Sequence, residues 1–342
     1  MTLPLWAETR RCRIRSVNTG SIDNPGGAAL TPLFPLPVTM HDPHIRHAAT
    51  YNYSLTVQHQ LPAEFIVELG YIGKLSRHLL STANINQLAP GTIQANRGVN
   101  AEALRPYLGY SSILHAGHRS SSNYNAMTAS VERRFRRGLT LQVAYTFSRS
   151  IDDASDKRDV LMISNNRRAD RGLSSFDRTN VFYVSYIYEV PFFRSDSVKL
   201  LRPLLAGWQL AGLTVFQTGL PTSAFIAPDT AGVAGGGRQR ANVIGEGLLP
   251  RGDRTFGRYF NTGAFQAPAA GTFGNGGRNI LRRPGTNNWD VSISKNFRIH
   301  ERRTIQLRGE FFNIWNHLSY NNIETTLGNA GFGTINGSDS DA

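Results

Sequence analysis

Cysteine is almost absent from this sequence: Cys12 stands alone, which excludes an internal disulfide and any zinc site built from several cysteines. Long apolar runs are missing as well. The longest, such as VFYVSYIYEV, reach about ten residues, where a membrane-crossing helix needs roughly 18–20. Helical membrane spans are therefore excluded. Carboxylates are scarce relative to bases, 24 Asp+Glu against 37 Lys+Arg, for a formal net charge of +13. Such a surplus raises nucleic-acid binding as a reading. The arginines, however, are scattered over turns and loops (Arg133, Arg134, Arg136 and Arg137; Arg167, Arg168 and Arg171; Arg302 and Arg303), with no helical motif or RNA-binding aromatic signature to organise them. No nucleic-acid partner is expected. The opening MTLPLWAETRRCRIRS also lacks the order of a secretory leader, because its arginines follow a short apolar patch instead of preceding a long one.

What the sequence does have is alternation. With 40% hydrophobic and 18% charged residues it can bury a sizeable surface, and the apolar residues recur at every second position. In GLTLQVAYTFSRS, Leu139, Leu141, Val143, Tyr145 and Phe147 share one face of a strand, and Gln142, Thr146 and Ser148 lie on the other. The same period runs through 51–61, 63–74, 123–135, 178–190, 287–299 and 302–316, and less regularly through 204–219. These eight candidates mostly exceed ten residues. Strands of soluble proteins average about five or six, whereas a tilted strand crossing a bilayer needs about 9–11. The apolar faces are free of charge in the middle and gather aromatics toward their ends, Tyr51, Tyr53, Trp289 and Phe297 among them; Lys295 departs from the pattern near a turn, where it can snorkel. The opposite faces carry Glu64, Glu68, Gln142, Asp290, Arg308 and Glu310, as a polar lumen would.

The links between candidates alternate in length. Short or medium ones fall near 62, 137, 191–203 and 300–302, and long ones at 75–122, 150–177 and 220–286. An outer-membrane barrel has this asymmetry, with short periplasmic turns and long extracellular loops. The fold class expected is all-β: an antiparallel transmembrane β-barrel segment of about eight long strands, part of a larger barrel.

No candidate site rises above its structural alternative. His41, His44 and His47 have a spacing that suits a metal on a helix, but Pro43 opposes a helix there, so they read as loop histidines. Asp152, Asp153, Asp156 and Asp159 lack the glycine and terminal glutamate of a calcium loop and read as a solvated loop. AGVAGGGRQR at 231–240 has no strand–loop–helix context or following Lys-Ser/Thr and reads as a flexible loop. Glu64 and Glu68 read as a lumen wall, not as a glycosidase pair, and no G-x-S-x-G occurs. The chain is expected not to be an enzyme, and no catalytic, metal or cofactor residue is assigned. Ligand recognition, if any, is assigned to the loops 75–122 and 221–286 as regions.

Several segments together resemble the barrel of TonB-dependent outer-membrane receptors of the Oar-like type: SLTVQHQLPAEFIVELGYIGKLSRHLL, NYNAMTASVERRFRRGLTLQVAYTFSRSIDD, DRGLSSFDRTNVFYVSYIYEVPF, GWQLAGLTVFQTGLP, FGNGGRNILRRPGTNNWDVSISKNFRI and LRGEFFNIWNH. The likeness covers roughly 50–335 in unbroken order. It implies the distal part of a barrel of about 22 strands, located in the outer membrane. Its function would be energy-coupled uptake of a scarce solute. The implied partners are outer-membrane lipid and lipopolysaccharide, the barrel-assembly machinery, an unidentified solute, and the TonB complex acting through a plug that this sequence does not contain. The expected organisation is an irregular N-terminal segment at 1–49, a barrel segment at 50–335 and a truncated tail at 336–342, making the sequence a fragment of a longer receptor. The competing readings are a soluble or surface-attached all-β binding protein and a passive pore without a plug.

Overall fold

A computed structural model describes residues 35–136, 138–191, 206–300 and 303–338. Eight long strands form a meander: β2 (Ala49–Leu61), β3 (Phe65–Asn84), β4 (Tyr110–Arg136), β5 (Leu139–Asp152), β6 (Asn180–Glu189), β7 (Trp208–Gln217), β8 (Thr286–His300) and β9 (Arg303–Phe311). Each pairs antiparallel with its neighbours in sequence, so the order across the sheet is the order along the chain. A further strand, β1 (Leu36–His41), lies parallel to the outer part of β4, beyond the point at which β5 leaves it.

The pairing carries every apolar stripe onto one surface. One row runs Val57, Leu69, Ala129, Tyr145, Phe182 and Phe216; the next runs Val67, Val131, Val143, Val184, Thr214 and Trp289. A one-residue slip would turn these side chains to the polar side, so the pattern fixes the register. The first row begins in the lower half of β2 and arrives at Asn287, the second residue of β8. That stagger tilts the strands against the barrel axis, which closing a sheet requires. Many of the apolar side chains are exposed, including Leu55, Val57, Leu69, Met127, Phe147, Leu307 and Phe311. Such a face is stable against hydrocarbon and unstable in water. The other surface carries the row Gln60, Ile66, Glu132, Gln142, Ser185, Leu213 and Asp290.

Close packing explains two glycines on the apolar surface. The Tyr53 ring lies across Gly73, and the Tyr186 ring across Gly212, where a Cβ would collide with each ring. At the outer margin, the Tyr71 hydroxyl donates to Asn125 Oδ1 (2.8 Å) and the Tyr145 hydroxyl to Asn180 Oδ1 (2.6 Å). These rings keep their faces in apolar surroundings and their polar tips bonded, the arrangement of an interfacial belt. Lys295 lies on the apolar surface toward the opposite margin, bonded to the Ala206 carbonyl and beside the Trp208 and Phe297 rings.

Several expectations need correction. The link expected at 75–122 shrinks to 85–109, because β3 continues to Asn84 and β4 begins at Tyr110. Alternation stops near Ser76 because the outer halves of these strands leave the lipid, and other loops bury Ser81, Thr82, Ala83 and Asn84. The segment expected to be irregular at 1–49 contributes β1; six residues with Pro37 inside them are too few for a periodic signal, and 1–34 lies outside the described residues. The expected tail at 336–342 instead begins within β11 (Ile335–Ser338), which pairs with β10 (Tyr320–Ile323), while 339–342 lies outside the described residues. Glu64 belongs to the turn Pro62–Glu64 with a φ of 63°, so it does not share a strand face with Glu68.

Val143 sits mid-strand on the apolar surface. Val143→Arg should lower folding stability in lipid vesicles by about 2–4 kcal/mol, and Gln142→Arg, on the polar face, by much less. Denaturant titration of the two variants checks the difference.

Candidate functional site: a loop layer locked by ion pairs

The long links 85–109, 153–179 and 218–285, and the segment after β9, all leave the sheet at the same end. They fold onto one another. Their apolar centre contains Phe260, Phe265, Leu281, Ile323 and Ile335, with Phe332 packed against it. Burial of these side chains from water holds the layer together, as in an ordinary globular core. The glycine-rich stretch 231–240, expected to be flexible, is part of this layer. Ala231 and Val233 are fully buried, and the Val233 and Ala231 carbonyls accept from the N–H groups of Leu88 (2.9 Å) and Gly91 (2.8 Å). A side chain at Gly235 or Gly236 would run into Asn84 or Gln87, so glycine there allows the two loops to touch.

In the same layer, aspartates from the end of β5 and the link after it meet arginines from the link before β8. Arg240 Nη1 bonds Asp170 Oδ1 at 2.6 Å, with both side chains buried, while Arg240 Nη2 and Nε donate to the Ala169 and Gly276 carbonyls. Arg282 Nη2 bonds Asp177 Oδ2 at 2.6 Å and also donates to Thr179 Oγ1 (2.5 Å). Arg278 bonds Asp152 and donates to Ser155 Oγ (2.8 Å). Asp170 and Asp177 accept further from the N–H groups of Met162 (2.9 Å) and Ser150 (2.7 Å). Charges withdrawn from water in this way are stable only when paired and hydrogen-bonded, and each of these has a charged partner. The aspartates expected to be solvated therefore divide. Asp152 and Asp153 are buried in the lock, Asp153 accepting from Arg167 Nε (2.9 Å) and Ser121 N (2.8 Å), whereas Asp156 remains exposed. Arg240, Arg278 and Arg282 gave no signal of their own in the sequence, because bases and carboxylates are interspersed in the link after β5 and no net charge marks it as their partner.

Three other loop carboxylates, Asp42, Asp156 and Glu324, are held below the usual carboxylate range, in each case chiefly by a backbone N–H donor, of His44, Arg158 and Thr326 respectively. Their contribution to loop order is present at neutral pH and is lost as pH falls through their lowered values. His41, His44 and His47 are exposed, and among the described residues no group of three or more His, Cys, Asp or Glu converges as a metal site would require. A cavity of about 400 Å³ opens between the locked loops, lined in part by Asp159, Asp170, Phe225, Arg238, Arg240 and Arg278.

Membrane-length strands in a staggered meander, apolar on one surface and polar on the other, with every long loop at one end, define the wall of an outer-membrane β-barrel. The chain belongs to the outer membrane beta barrel domain family, whose pattern matches residues 9–342. Among solved structures it is similar to the outer membrane transporter YddB from Escherichia coli, with 8% identity, a TM-score of 0.47, and coverage of 89% of this chain and 33% of that one. It is also similar to P. aeruginosa FpvA, solved bound to heterologous pyoverdines with iron, at 12% identity, a TM-score of 0.35, and coverage of 84% of this chain and 26% of that one. The chain thus spans about a third of the first and a quarter of the second. A comparison with curated proteins found no match.

Arg240→Ala leaves Asp170 buried without its cation and should cost about 3–5 kcal/mol. Arg251→Ala, exposed in the same loop, should stay within about 0.5 kcal/mol. Unfolding midpoints, together with protease cleavage between 231 and 280 in membrane-embedded protein, check both.

Proposed function

We propose that this chain is a section of the wall and extracellular loop layer of an outer-membrane transporter that takes up a scarce solute with energy supplied through TonB. The observation that carries the reading is the loop layer. Four segments converge over the end of the sheet and buried ion pairs lock two of them together, which suits a selective vestibule better than an open pore. Membership of the outer-membrane barrel family and the Oar-like character of six segments support the same reading. In it, 50–335 is barrel, the polar sheet surface lines the lumen, and the solute meets the loops 85–109 and 218–285 first. The edges β2 and β9, which do not pair with each other, are closed by further strands, since an open edge is untenable in lipid. A plug on the same full-length protein takes energy from TonB, and the barrel-assembly machinery inserts the whole. A passive pore is the second reading.

The full-length protein should be reconstituted in planar bilayers and also expressed in cells. A transporter conducts no steady ion current, and the cells carrying it should deplete a solute from the medium in a manner stopped by a protonophore. Steady conductance with protonophore-insensitive uptake would replace the transporter with a pore.

A further inference from the structure

A second cavity, of about 780 Å³, borders the locked layer, with Arg167 in its lining. Its setting follows from the topology. β1 ends beside Ala116 on one edge of β4, and β2 starts beside Arg77 on the far edge of β3, so residues 42–48 must cross both strands as a strap. The strap crosses on the lipid-facing surface. Asn125, which accepts the Tyr71 hydroxyl, lies on that surface, and Asn123, two residues further out on the same face, accepts from Arg77 Nη1 at 3.0 Å. Arg77 and Asn123 both line the cavity.

Height follows from strand geometry. At about 3.4 Å per residue and a tilt of about 40°, Asn123 stands about 5 Å outside the level of Asn125, which marks the aromatic margin. The polar layer outside the hydrocarbon is itself about 5–7 Å thick on each side. The cavity therefore opens at the level of the outer-leaflet headgroups.

Its charge is unbalanced. Arg46, Arg77, Arg119, Arg167 and Arg171 line it, with His44, His78 and His118 alongside. Against these five guanidiniums stand two carboxylates among the described residues. Asp153 holds Arg167 at 2.9 Å, and Asp42 holds Arg119 loosely at 3.4 Å. Among the described residues, Arg171 has only a long side-chain contact with Ser121 Oγ, 3.5 Å, and Arg46 is exposed on the strap. The contrast with the loop layer is informative, because there Arg240, Arg278 and Arg282 are each paired with an aspartate. Three uncompensated positive charges facing one concavity, with planar donor forks and serine and asparagine groups beside them, match the oxygens of a phosphate.

We propose that this cavity is a phosphate-binding site, and that its position at headgroup height assigns it first to phosphate groups carried by outer-leaflet lipid. The site is separate from the vestibule proposed for solute, and does not depend on whether the protein transports. Removing three cationic side chains from it should weaken binding by about a hundredfold, taking roughly 1 kcal/mol for each basic residue near an anionic lipid surface.

The test uses the full-length protein and a variant carrying Arg46→Gln, Arg77→Gln and Arg171→Gln together, the three lining arginines without a carboxylate partner among the described residues. Each protein in detergent micelles is titrated with bisphosphorylated lipid A, with the same lipid stripped of phosphate, and with inorganic phosphate alone, and the unfolding midpoints of the two proteins are compared. The expected result is about a hundredfold weaker binding of lipid A by a normally folded variant, with no difference for the dephosphorylated lipid. If only inorganic phosphate separates the two proteins, the site stands and its source is a free anion. Equal binding of all three probes by two equally stable proteins overturns it. Should the triple variant unfold, Arg46→Gln alone, on the strap, is measured in its place under the same criteria, with a several-fold loss expected.

Discussion

Hydrocarbon offers no water to the backbone, so every peptide N–H and C=O within it must find a partner in the protein. A meander meets this demand between neighbours in sequence, and that is the topology of β2 to β9. Once the ladder is fixed, the rest of the wall follows. The period of two puts Val57, Leu69, Tyr145 and Phe216 on one surface, the stagger tilts the strands, and the aromatic rings collect where the environment changes from apolar to wet. Even Lys295, the charge that breaks the pattern, lies near the margin and is bonded to a carbonyl.

Apolar burial works in opposite senses in the two halves of the molecule. In the wall, large side chains such as Leu55 and Phe147 are exposed by the protein and covered by lipid. In the loop layer Phe260, Phe265 and Leu281 turn inward as they would in a soluble domain. Between the two runs the set of aspartate–arginine pairs. It joins the link after β5 to the link before β8, and so ties together loops that are separated by two strands and roughly a hundred residues along the chain. Hydrophobic contact alone would hold such loops near one another. Directed ion pairs hold them in one arrangement, because each guanidinium also fills specific carbonyl or hydroxyl acceptors.

The wall was legible in the sequence to within a few residues, for strands such as Leu139–Asp152 and Thr286–His300, because a lipid-facing strand writes its environment into every second position. Where that environment ends, legibility ends with it. The outer halves of β3 and β4 were read as loop, since Ser81, Thr82 and Ser120 are polar residues buried by the protein itself and leave no apolar–polar period. The glycine run at 231–240 was read as flexible because composition records the freedom of glycine in an unfolded chain, not the side chains of Asn84 and Gln87 that require it here. Asp152 was read as solvated because its partner, Arg278, is 126 residues away.

By itself the sequence determined what depends on neighbours along the chain: strands of membrane length, which face of each is apolar, and which links are long. Those properties are local, since one strand against one solvent sets them. Only the tertiary structure decided which loop meets which, that aspartates at and after the end of β5 form buried pairs with arginines before β8, and that a strap from β1 to β2 encloses an arginine-lined cavity above the aromatic margin. Contacts of that kind join residues with no fixed spacing, so no periodicity encodes them; they exist once the sheet has brought the loop ends to one side of the membrane.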